Sequence, residues 1–162
     1  VALRDLIEEA WQIASIEEKA ARVNFSNEAK PEDSVLGNAD RLLQVFLNLI
    51  RNAIQAAPET GGQIRVSTCQ LRSDGKPLLS IRVEDNGPGI PADVLPDIFD
   101  AFVSTRLDSK GTGLGLTVSE GIVHQHGGSI SASNRIGGGA SLEVRLLDSA
   151  ANAKVVHPSR TR

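Results

Sequence analysis

The sequence predicts an α+β domain: a two-layer sandwich in which helices cover one face of a mixed, mainly antiparallel sheet. Three observations carry this. The predicted elements run helix, strand, helix, two strands, helix, two strands. Each strand pair is joined by a short turn rich in glycine, Ser73-Asp74-Gly75 in one and Gly137-Gly138-Gly139 in the other, as in hairpins. Strands and helices do not alternate strictly, so a Rossmann-type parallel sheet is excluded.

The elements follow in order. Residues 3–14 place Leu3, Leu6, Ile7, Ala10 and Ala14 at helical spacing with acids between them. Residues 21–27 read as a short strand, and Lys30 to Asn38 as a loop marked by Pro31, Asp33 and Gly37. A long helix runs from about Ala39 to Ala57 and stops at Pro58 and Gly61-Gly62. Strands follow at about 63–71 and 78–84, then a Gly/Pro-rich loop from Asp85 to Pro91. Residues 92–112 hold little regular pattern. A helix at about 114–125 is closed by Gly127-Gly128. Strands at about 129–134 and 140–147 complete the sheet, and residues 148–162 read as a frayed tail.

The chain has 162 residues, enough for one domain with its own core. Its net charge of −3 is too mild for a nucleic-acid or membrane-surface binder. One cysteine excludes an internal disulfide framework and a Cys₄ zinc site, and the chain is expected in the cytoplasm. No apolar run approaches the ~18 residues of a membrane span. The chain starts at Val1 and contains no methionine, so it reads as a piece of a longer protein.

Three constellations carry chemistry. On the long helix, Gln44, Asn48 and Asn52 are spaced by four and stack on one side, while Leu42, Phe46, Leu49 and Ala53 supply an apolar face. The amide stripe is either a solvated face or a source of oxygen ligands for Mg²⁺. Next, Asp85-Asn86-Gly87-Pro88-Gly89-Ile90 follows a strand. It is a plain turn, or a carboxylate that accepts from an exocyclic amine while glycines let backbone approach a flat ring. Third, Gly111-Thr112-Gly113-Leu114-Gly115-Leu116 enters a helix. It is a flexible turn, or a set of backbone N–H groups facing phosphate at a helix N-terminus. The run matches neither Walker A nor GxGxxG.

Taken in this order and spacing, the motifs resemble the ATP-binding catalytic domain of sensor histidine kinases, within the gyrase, Hsp90, MutL and histidine kinase superfamily. Asn48-Leu-Ile-Arg-Asn52-Ala is similar to the N box, Asp85 to Ile90 to the G1 box, Phe99 to Arg106 to the F box, and Gly111 to Leu116 to the G2 box. His126-Gly-Gly-Ser-Ile and the Gly-Gly-Gly-Ala-Ser-Leu ending fit the same pattern. The resemblance covers residues 1–148, leaving 149–162 as a disordered tail, and the wording leans toward sensors of the nitrogen-regulation and dicarboxylate type.

The resemblance implies a site, residue by residue. Asn52 would ligate Mg²⁺, with Asn48 supporting metal and phosphates. Asp85 would read the adenine amino group, with Gly87, Gly89 and Ile90 around the base. Phe102 belongs to the F box. Gly111, Thr112, Gly113, Leu114, Gly115 and Leu116 would hinge an ATP lid over about 103–110 and meet the phosphates. Ser141 is placed near the adenine aspartate. Arg106 stands where the F box often has Lys, and Gln55 where a basic residue often follows the second asparagine, with Arg51 on another side of the helix. Arg106 and Lys110 are the candidate cations for the γ-phosphate. Asn48 replaces the glutamate that activates water in gyrase-type relatives and is a poor general base, so ATP is held rather than hydrolysed.

The implied reaction moves the γ-phosphate of ATP to a histidine on a separate dimerisation domain, with a response regulator reached indirectly. Neither His124-x-His126, at a helix end, nor His157 has an acceptor setting, so this chain is not expected to phosphorylate itself. The alternatives are an anti-sigma-type serine kinase of the same superfamily and a nucleotide-sensing scaffold without transfer. Trp11 is expected to pack the first helix, and Cys69 to be a small core residue. A membrane-anchored parent is compatible with the cytoplasmic expectation.

Overall fold

The structure, a computed structural model, describes residues 1–100 and 115–149. Helix α1 spans Leu3–Ala14, strand β1 Val23–Asn27, helix α2 Ala39–Ala56, strands β2 Gly62–Ser73 and β3 Lys76–Asp85, helix α3 Gly115–Gln125, and strands β4 Ser129–Asn134 and β5 Ala140–Leu147. The five strands form one sheet in the order β1-β2-β3-β5-β4. β1 pairs parallel with β2, and every other pairing is antiparallel. The predicted mixed sheet with helices on one face is what forms.

The period of two along each strand divides the faces. On β3, Leu79, Ile81, Val83 and Asp85 point at the helices, and on β5 Ala140, Leu142, Val144 and Leu146 do so; all are buried. α1 lays Leu3, Leu6, Ile7, Ala10 and Ala14 against this layer, and α2 contributes Leu42, Val45, Phe46, Leu49, Ile50, Ala53 and Ile54. One continuous core results, dominated by α2, which lies across the sheet between α1 and α3. Trp11 stacks flat on Phe25 with ring centroids 4.3 Å apart, joining α1 to β1 as expected of it.

Local chemistry sets the ends. Asn38 caps α2, its Oδ1 accepting from the Arg41 N–H at 3.0 Å. The β2–β3 hairpin turns through Asp74 and Gly75, both left-handed, with Ser73 paired to Lys76. β1 starts at Val23 rather than at residue 21, because Glu18–Arg22 forms a 3₁₀ turn. Another short 3₁₀ turn, Leu95–Asp97, lies in the stretch that showed no pattern. Asp148 does not fray: it is buried, and its N–H donates to the Pro77 carbonyl at 3.1 Å. Ser149 likewise donates to the Ser34 carbonyl. The rest of the expected tail lies outside the described residues.

Cys69 is a correction. It is exposed, not a core residue. Ile64 and Val66 face the helices, so the same alternation turns Cys69 to the open face, beside Ser80 and Arg145.

Candidate functional site

α2, the end of β3, β5 and the start of α3 enclose a cavity of about 180 Å³. Its walls are mostly apolar: Leu49, Ala53, Val83, Ile90, Ile98, Leu116, Ala140 and Leu142. Three polar side chains reach it, Asn52, Gln55 and Asp85. Such a pocket, apolar with few convergent polar groups, suits a flat ligand held by one or two directional contacts.

Asp85 is the last residue of β3 and points inward by strand alternation, only 6% exposed. Its Oδ1 accepts from the Gly87 N–H at 2.9 Å and the Ala140 N–H at 3.4 Å. Burial raises its pKa above the ordinary carboxylate range, against those two hydrogen bonds and the charge of Arg135. Both donors fall on Oδ1, which leaves Oδ2 without a donor among the described residues.

The loop after Asp85 is shaped by close contacts. A Cβ on Gly87 would lie 2.1 Å from the Ala56 carbonyl oxygen, so this residue must be glycine for the loop to meet the end of α2. Gly87 therefore sits behind the cavity, while Pro88, Gly89 and Ile90 line it. Gly89 takes φ +84°, and a Cβ there would come within 2.8 Å of the Asn134 Oδ1. Asn86 faces away and ties the loop to β2, accepting from the Gln63 N–H at 2.8 Å and donating to the Gly61 carbonyl at 2.9 Å.

The amides of α2 part company. Gln44 is exposed, whereas Asn48 and Asn52 are half-buried. Asn48 donates through Nδ2 to the Gly115 carbonyl and to the Ser119 hydroxyl, both at 3.3 Å, and so joins α2 to the start of α3. Asn52, one turn on, lines the cavity. Arg51 points elsewhere, 4.0 Å from Glu17. Gln55 lines the cavity wall, 3.4 Å from a Glu17 oxygen. Both ring nitrogens of His126 are engaged, Nδ1 with the Ile122 carbonyl at 2.8 Å and Nε2 accepting from the Asn38 N–H at 3.0 Å.

The structure thus brings Asn52, Asp85, Gly89, Ile90 and Leu116 onto one cavity, with Asn48 and Gly115 beside it. Ser141 is a correction. It pairs with Glu84 across β3–β5 and faces the open side of the sheet, among Arg82, Glu84 and Glu143. Its neighbours Ala140 and Leu142 are the residues on the cavity side. Phe102, Arg106, Lys110, Gly111, Thr112, Gly113 and Leu114 lie outside the described residues. The described ends of that stretch meet beside the cavity, where the Thr117 hydroxyl donates to the Phe99 carbonyl at 2.7 Å. Sequence reasoning missed Asn134 and Arg135, which hold Ile90 and Asp85 from the end of β4. No motif marks either residue.

The family model described as histidine kinase-, DNA gyrase B- and HSP90-like ATPase matches residues 37–150. The chain belongs to this ATPase family. Among curated relatives of this family, the sensory histidine kinase/phosphatase NtrB of Azospirillum brasilense is 46% identical over 59% of this chain and 26% of its own length. The histidine-protein kinase AtoS of Escherichia coli is 40% identical over 90% of this chain and 23% of its own. The chain therefore spans about a quarter of these relatives. Among solved structures of the family, the nucleotide-free catalytic domain of the histidine kinase ThkA superposes with a TM-score of 0.76 at 29% identity, covering 91% of this chain and 95% of that one. The mycobacterial sensor histidine kinase MprB superposes with a TM-score of 0.77 at 24% identity, covering 91% and 97%, a likeness of fold. No described helix is long and apolar enough to cross a membrane.

Proposed function

We propose that this chain is the nucleotide-binding part of a sensor histidine kinase. It binds Mg-ATP in the cavity and presents the γ-phosphate to a histidine on a separate helical dimerisation domain, from which a response regulator is then phosphorylated. The observation that carries this is a buried carboxylate, Asp85, with one oxygen engaged by backbone and the other left for a ligand in an apolar slot. Adenine offers an amino donor to such an oxygen. Guanine has a carbonyl at that place, and a buried carboxylate facing it would be unpaired.

Asn52 is the side chain suited to Mg²⁺. A hard cation takes carbonyl oxygens together with phosphate oxygens and waters. Asn52 would offer its amide oxygen to that shell, beside oxygens brought by the nucleotide and water. Magnesium would offset phosphate charge. Asn48, engaged with Gly115 and Ser119, fixes α3 against α2 and supplies no general base. Arg106 and Lys110 remain the candidate cations at the γ-phosphate, and Gly111 to Gly115 the phosphate-facing backbone. We place the nucleotide-binding domain at residues 1–148.

The engagement of both His126 nitrogens supports an acceptor outside this chain. The test is incubation with γ-labelled ATP, alone and with a histidine-bearing helical dimerisation domain of the same parent. Acid-labile, base-stable label on the added domain alone is expected. Label on a serine, or rapid ATP hydrolysis without transfer, would overturn the reading.

A further inference from the structure

The loop from Asp85 to Ile90 forms one wall of the cavity, yet it has no regular hydrogen-bonding of its own to hold that shape. Its far end is held by a side chain outside the cavity. Asn134 closes β4, and its Oδ1 accepts from the Ile90 N–H at 2.6 Å while its Nδ2 donates to the Ile90 carbonyl at 2.9 Å. One amide thus satisfies both backbone groups of one loop residue, as a neighbouring strand would. The near end is gripped by the next residue. Arg135 donates from Nη1 to the Asp85 carbonyl at 2.9 Å, and its Nε lies 3.6 Å from Glu84. Backbone completes the grip: Gly139 packs so tightly on Asp85 that a Cβ would lie 1.9 Å from its carbonyl oxygen.

We propose that Asn134 is a positioning residue for the nucleotide. It touches no ligand itself, and sets the place of Gly89 and Ile90 relative to the Asp85 carboxylate, with Arg135 fixing the other end of the same loop. The inference rests on the adenine reading given above and deepens it. It also explains Gly89 without invoking the base. With Asn134 docked on Ile90, a side chain at residue 89 has no room, so the glycine and the asparagine are two halves of one contact.

The test uses wild type, Asn134→Ala, Asn134→Asp and Asn27→Ala. Asn27 serves as the control because it makes a comparable set of hydrogen bonds, to Arg4, Glu8 and Ala29, on the far side of the sheet at β1. Mg-ATP and adenosine are titrated into each, melting temperatures are recorded, and amide exchange at Ile90 is followed without nucleotide. Asn134→Ala is expected to weaken both ligands by roughly fivefold to tenfold, from the loss of two hydrogen bonds, and to speed exchange at Ile90. Asn134→Asp keeps the size but sets an oxygen against the Ile90 carbonyl, and is expected to weaken binding as much; it carries the test should the alanine variant not fold. Asn27→Ala should lower the melting temperature and leave both affinities unchanged. Wild-type affinity in the Asn134 variants would overturn this inference alone, as would an equal loss in Asn27→Ala. A wild type that binds neither ligand would overturn the adenine reading and this inference with it.

Discussion

Burial disfavours the ionised form of Asp85. Burial raises its pKa, so between the ordinary carboxylate value and the raised one the folded state binds more protons than the unfolded. Stability contributed by this group is therefore present at low pH and lost as pH rises through that window. Asp85→Asn keeps an oxygen for the Gly87 and Ala140 N–H groups and removes the buried charge, so the nucleotide-free variant should melt at the wild-type temperature or above at neutral pH. The adenine contact needs the carboxylate, so ATP affinity of the wild type should fall as pH drops through the raised pKa, earlier than for an exposed aspartate. A titration series from neutral pH down to the ordinary carboxylate range, with Asp85→Asn as the insensitive comparison, checks this. A flat profile for the wild type would count against the adenine role. Glu143 behaves oppositely. Burial pushes its pKa up, but hydrogen bonds from Ser80 and Arg145 and the charges of Arg145 and Arg82 outweigh this and leave it lowered. Its stabilisation is present above the ordinary carboxylate range and is lost as pH falls through its lowered value.

At the scale of elements, the site depends on how α2 meets its neighbours. Gly87 lies against the Ala56 carbonyl at the helix end, and backbone cannot give way as a flexible side chain would. Gly87→Ala should therefore destabilise by about 1–3 kcal/mol, the usual range for overpacking, measured by denaturant unfolding. The other end of α2 is fastened to α3 by His126, which accepts from the Asn38 N–H and donates to the Ile122 carbonyl. His126→Ala should cost about 1 kcal/mol, and it should loosen the start of α2 in amide exchange before the middle. Elements were the most legible level of the sequence. α1, α2 and both hairpins announce themselves through apolar spacing and turn residues, because each pattern is local. The 3₁₀ turn at Glu18–Arg22 was not legible, since five residues carry too few apolar positions to show a period.

For the whole molecule, the α+β sandwich followed from element order, and the cavity's polar residues from motifs on α2 and after β3. What escaped was tertiary. Ser141 and Cys69 each fall on the open face of the sheet, a matter of strand phase that a motif match ignores and that Ala140, Leu142, Ile64 and Val66 would have revealed. Asn134 and Arg135 join the site only because β4 lies beside β5 and its end reaches the loop after β3. No local pattern reports that. The cavity assembled from these elements is the adenine slot we propose. Its most direct test is calorimetric titration of ATP, ADP and GTP, each with and without Mg²⁺, into wild type and Asp85→Asn. ATP and ADP should bind, GTP should not, and the variant should lose most of the affinity, on the order of tenfold or more for a buried charged hydrogen bond. Equal binding of ATP and GTP, or an Asp85→Asn variant that binds ATP as wild type does, would contradict it.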